Sequence, residues 1–130
     1  MDTKRLLNRL EQFPHFDRLE FVYLFGSAAH GDATTRSDID LCLYYDISNR
    51  EKLADLLFTI SGSLPQQYDV SMFQLLPLYM QKEVFKGQLL FARDTGFVHD
   101  VARRTRQAYN DFEARYRYIL RSKAGMEATL

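Results

Sequence analysis

LEFVYLFGSAAHGDATTRSDIDLCLY, residues 19–44, holds two patterns of different period. Leu19 to Phe25 is an almost unbroken run of large apolar residues that stops at Gly26-Ser27, which predicts a strand buried on both faces feeding a turn. From Ala28 to Ser37 the residues are small and polar, predicting a loop with one helical turn after Ser27. Asp38 to Tyr44 then alternates: Ile39, Leu41 and Leu43 share one face of a second strand, and Asp38, Asp40, Cys42 and Tyr44 share the other. Two carboxylates therefore point the same way beside a Gly-Ser turn.

Working outward, Leu6, Leu7, Leu10 and Phe13 fall at helical spacing and predict a first helix ending at Pro14. Ser48, with Glu51 three residues on, predicts the cap of a helix whose stripe is Leu53, Leu56, Leu57 and Ile60 and whose end is Gly62. Tyr68, Val70, Met72 and Phe73 predict a third strand, Pro77 to Lys86 a short helix stopped by Gly87, and Gln88 to Ala92 a fourth strand at an edge. Phe97, Val101, Ala108, Phe112 and Ile119 recur at offsets of four and seven, predicting a long helix over about 95–122. The expected fold class is α/β (α+β): a small mixed β-sheet with flanking helices, in a single domain spanning 1–130.

Composition narrows the function. Seventeen Lys+Arg balance seventeen Asp+Glu, which removes the strong electrostatic case for a general nucleic-acid coat. With 46% hydrophobic residues the chain builds a core without disulfides, and its single cysteine, Cys42, cannot bridge internally. Asn8 and Arg9 interrupt the N-terminal apolar stretch that a secretory signal needs, and no apolar run approaches the roughly 20 residues of a membrane span. A cytoplasmic protein without a membrane segment is the expectation.

The chemistry lies in Gly26-Ser27, ten residues, then Asp38-Ile39-Asp40. Carboxylates at i and i+2 on a strand can grip hard divalent cations, and Mg²⁺ binds through one or two carboxylates plus substrate phosphates. A Gly-Ser turn complements them, since glycine admits a phosphate close to the backbone and a serine hydroxyl with nearby N–H groups holds anionic oxygens. Together they predict a site for a nucleoside triphosphate.

This spacing resembles the GS-x10-DxD signature of the nucleotidyltransferase superfamily that includes DNA polymerase β. The short length, Asp69-Val70-Ser71, the proline-started helix, Gly87 and Leu89-Leu90-Phe91 are similar to the minimal nucleotidyltransferases, over roughly Phe21 to Phe97. The resemblance implies the polymerase β-like fold, ATP as substrate, Mg²⁺ held by Asp38, Asp40 and a third carboxylate, Asp69, and Asp69 as general base. It also implies an antitoxin role beside a HEPN-domain toxin, with a toxin side-chain hydroxyl as acceptor, in a hetero-oligomer; a homodimer stays open. One departure stands out: His30 occupies the place, four residues after the glycine, where a basic residue often assists the phosphates. Arg36 is the loop residue that could substitute, alongside Gly26 and Ser27, in nucleotide binding.

Two rival functions stay open at this point. One is a small-molecule nucleotidyltransferase of the antibiotic-modifying type, which should need more chain for its acceptor pocket. The other is an antitoxin acting by binding alone. His15, His30 and His99 have no partner at ligand spacing, Cys42 reads as a structural thiol, and Asp46 and Asp55 as surface residues. Between His99 and Gly125 seven basic residues face three acidic ones, with Tyr109, Tyr116 and Tyr118 among them. That composition suits a solvated basic face or a protein partner better than direct nucleic-acid binding.

Overall fold

The computed structural model describes residues 3–26 and 39–128, with side chains as far as Lys123. Four strands make one sheet: β1 (Leu19–Phe25), β2 (Ile39–Tyr45), β3 (Tyr68–Met72) and β4 (Gln88–Ala92), in the order β3-β2-β1-β4. β1 pairs antiparallel with both β2 and β4, and β2 pairs parallel with β3 through a crossover that carries α2 (Arg50–Ser63). The fold is α+β with a mixed sheet, and β4 is an edge strand as its sequence predicts.

Both faces are covered. Leu41, Leu43, Val22 and Leu24 meet Leu6 and Leu10 of α1 (Thr3–Leu10) and Leu53, Leu56 and Ile60 of α2 in one buried cluster. On the other face Phe21, Tyr23 and Cys42 pack against Phe73, Val84 of α3 (Leu78–Val84), and Val98 and Val101 of α4 (Thr95–Ala128). Phe21 is the hub of that second cluster, with ring contacts to Tyr23, Tyr44, Phe73 and Phe85 at 5.0–6.1 Å between centroids. The alternation of β2 thus separates the two layers residue by residue.

The structure corrects several sequence-based boundaries. Asn49, not Ser48, caps α2, because its side-chain oxygen accepts from the Lys52 amide at 3.1 Å. Gly62 lies inside that helix, which ends at Ser63: Pro65 forces Leu64 out of helical geometry into an extended conformation (ψ 155°). α1 ends at Leu10 rather than Pro14, and its last turns are closed by Glu11, Gln12 and Phe13 amides. Phe73 leaves β3 for a 3₁₀ turn (Phe73–Leu75), and a second such turn, Phe16–Arg18, leads into β1 after His15, whose φ is +66°. α4 continues to Ala128, past the expected 122, and is about 50 Å long at 1.5 Å per residue.

A residue with no motif around it ties the sheet's end to its start. The Arg93 amide donates to the Glu20 carbonyl at 2.8 Å, while its guanidinium donates to the Leu19 and Phe16 carbonyls, each at 2.9 Å, and lies against the Phe16 and Phe91 rings.

Candidate active site

Strand register brings the described site residues together. Asp40 on β2 lies opposite Asp69 on the parallel strand β3, and opposite Phe25, the last residue of β1, on its other side. Registered neighbours share a sheet face, and adjacent strands are about 4.8 Å apart, so the two carboxylates form a pair at one end of the sheet. Asp69 is exposed and Asp40 half-buried. Ser27, Arg36 and Asp38, and His30 with them, lie outside the described residues. Among the described residues no group of three potential ligands converges.

Gly26 follows Phe25 with φ +77°, a left-handed conformation that side chains disfavour. A Cβ built there would overlap Asp40 Oδ2 and stand 3.3 Å from Cγ. The glycine therefore leaves room for the carboxylate itself, a role that sequence reading, which assigned it to phosphate approach, did not anticipate. Gly87 is similar: a Cβ there would run into the Leu24 carbonyl and stand 2.9 Å from the Phe25 Cα. Reading Gly87 as a helix terminator misses this close approach, which presses the start of β4 against the end of β1.

Beneath the pair the surroundings turn apolar. Cys42, two residues along β2 from Asp40, is buried, and burial pushes its thiol up to about 12 against a small opposing effect of Ser71. A thiol so shifted stays protonated and is no nucleophile. The Ser71 hydroxyl donates to the Leu41 carbonyl at 3.2 Å, fastening β3 to β2 beside the carboxylates. Tyr23, next to Cys42 across β1, is likewise raised by burial. The remaining sequence candidates lie elsewhere: His15, His99, Asp46 and Asp55 are exposed, and Asp46 makes a long pair with Arg18 at 3.9 Å.

Carboxylates on adjacent strands of a mixed sheet, beside a left-handed glycine turn, form a set of hard donors suited to a divalent cation and the phosphates it binds. The chain belongs to the family described as polymerase beta, nucleotidyltransferase, whose profile matches residues 8–96. It is 32% identical over 96 residues to a chain of Methanocaldococcus jannaschii described as a candidate protein adenylyltransferase, covering 74% of each. Two solved structures share the fold. One is a toxin–antitoxin complex with AMP-PNP, at TM-score 0.73 and 18% identity, covering 94% of this chain and 98% of that one. The other is a tri-AMPylated Shewanella oneidensis HEPN toxin with its minimal nucleotidyltransferase antitoxin, at TM-score 0.65 and 16% identity, covering 93% and 98%.

Proposed function

We propose that this chain transfers AMP from ATP to a hydroxyl of a partner protein, and that it thereby neutralises a HEPN-domain toxin as its antitoxin in the cytoplasm. The observation that carries the reading is the register of Asp40 with Asp69 on one sheet face, beside the glycine that makes room for Asp40. The family supports nucleotidyl transfer, and the described relative and the AMPylated complex support a protein acceptor.

The donor set fits Mg²⁺: carboxylate oxygens on neighbouring strands, hard ligands in number enough to leave places for phosphates and water. Asp38, Asp40 and Asp69 would hold it, and Mg²⁺ bound there supplies neutralisation of the phosphate charge. The chain's own residues do the rest. Gly26, Ser27 and Arg36 bind the phosphates and turn the α-phosphorus towards the acceptor. Asp69, at the exposed edge of the pair, takes the proton from the acceptor hydroxyl. The acceptor oxygen bonds to the α-phosphorus, the bond from that phosphorus to the β-phosphate oxygen breaks, and pyrophosphate leaves with the electron pair.

The test uses ATP labelled at the α- or the γ-phosphate with the purified partner. Label should reach the partner from the α-position only. Transfer from the γ-position would overturn the reading, and neutralisation without any label would reduce the chain to a binding antitoxin.

A further inference from the structure

α4 has one apolar face with two fates. At 3.6 residues per turn, Val98, Val101, Thr105, Phe112, Tyr116 and Ile119 fall within an arc of about 60°. Val98, Val101 and Thr105 are 4%, 5% and 6% exposed, because the sheet and α3 cover them. Phe112, Tyr116 and Ile119, on the same line about two to four turns further on, are 57%, 54% and 53% exposed. The Phe112 and Tyr116 rings stack on one another at 6.2 Å and 11°, a flat plate more than half open to solvent. The core stripe thus runs off the end of its own sheet.

The charges beside that stripe are ordered along the helix. Asp111 and Glu113 come first, and Arg115, Arg117, Arg121 and Lys123 follow. A parallel helix of the same sequence would set like charge on like. An antiparallel one sets the acidic half of each helix on the basic half of the other.

We propose that the exposed half of α4 is a self-association surface, on which a second copy of this chain lays its own α4 antiparallel. A twofold axis near Ala114 places Phe112 on Tyr116 of the second copy, with Asp111 facing Arg115 and Glu113 facing Arg117 on the two flanks. The ends of the stripe agree with this register. Ile119 and Leu120 of the second copy reach Ala108, where a groove of about 360 Å³ opens between α3 and α4, lined by Leu78, Gln81, Arg104 and Thr105. Lys82 over the Tyr109 ring, 4.1 Å from its centroid, holds the two walls of that groove together. The contact uses neither Asp40 nor Asp69 and does not depend on the reaction assigned to them.

Sedimentation of the purified chain over a concentration series tests the proposal. The wild type should dimerise, and Phe112→Asp with Ile119→Asp should weaken dimerisation by about tenfold or more, with helical circular dichroism retained. A charge-swap pair removes the remaining ambiguity. Asp111→Arg with Glu113→Arg in one chain, and Arg115→Glu with Arg117→Glu in another, should each be monomeric alone and should dimerise when mixed. A monomeric wild type at every concentration overturns the proposal, as does failure of the swapped chains to associate on mixing. Loss of capture by a HEPN-type partner, in a chain that is itself monomeric, assigns the surface to that partner and overturns it equally.

Discussion

The carboxylate end of the sheet and the outer half of α4 are built on opposite terms. Asp40 is held between β1 and β3, backed by the buried Cys42 and given space by Gly26. Phe112, by contrast, is more than half exposed, and the ring it stacks on lies one turn along its own helix. Chemistry that must place oxygen atoms to within a fraction of an ångström uses a frame in which several strands fix one side chain. Recognition of a surface asks only that a stripe be rigid and uncovered, and a single helix provides that.

The same residue type in both regions gives the sharpest contrast. Phe21→Ala should cost about 3–5 kcal/mol, because it empties the hub of the aromatic cluster. Phe112→Ala should change the stability of the dilute monomer by less than about 0.5 kcal/mol, since that ring is more than half exposed and belongs to neither core cluster. Chemical denaturation of the two variants compares them, and similar losses would break the contrast.

Next in size is Asp40→Asn, which should lower nucleotidyl transfer by at least about 10²-fold, comparable to losing a preorganised charge contact. Its thermal midpoint should stay close to the wild type, and a large drop would make Asp40 structural. Gly26→Ala joins the two kinds of effect: a left-handed φ with a Cβ costs about 1–2 kcal/mol. The displaced Asp40 carboxylate should also reduce activity in this variant, read in the same labelled-ATP assay.

The change that vanishes at neutral pH is one of proton binding. Burial raises Cys42 from 9.0 to about 12, and Tyr45 from 10.0 to about 12. The folded chain holds these protons more tightly than the unfolded one, so their stabilisation is complete below about pH 9 and declines as pH rises towards 12. Thermal melts should be flat on this account up to pH 9 and fall above it. A thiol reagent at pH 8.5 should leave Cys42 unmodified until the chain unfolds, and fast reaction in the native state would show a site less closed than its burial implies.

Much of this was legible in residues 19–44. β1 stands out because both its faces are buried, and β2 because its alternation matches two different layers. The pairing of Asp40 with Asp69 was only implied by resemblance, since register across a crossover depends on how α2 returns the chain. Asn49 could not be told from Ser48 as the cap, because both side chains accept hydrogen bonds and local geometry chooses between them. Gly62 is tolerated in a helix whose other residues pack well, so glycine alone was a poor stop signal. The outer half of α4 was readable as helix, and so was its overhang, because a helix of that length outruns strands of five or six residues; periodicity alone reports only which residues share a face.

Arg93 has a temporal meaning. β1 and β2 are close neighbours in the chain and can pair early, but β4 arrives at the other side of β1 only after a detour through α2, β3 and α3. Closing so long a loop is entropically slow, and such non-local pairings set the pace of folding. Arg93, which clasps Glu20, Leu19 and Phe16 as β4 ends, is placed to act as the latch of that late step. On a ribosome the outer flank of β1 is then expected to wait, unpaired, until the latch has been synthesised and has left the exit tunnel, and Arg93→Ala should lengthen that wait in refolding as well as in translation.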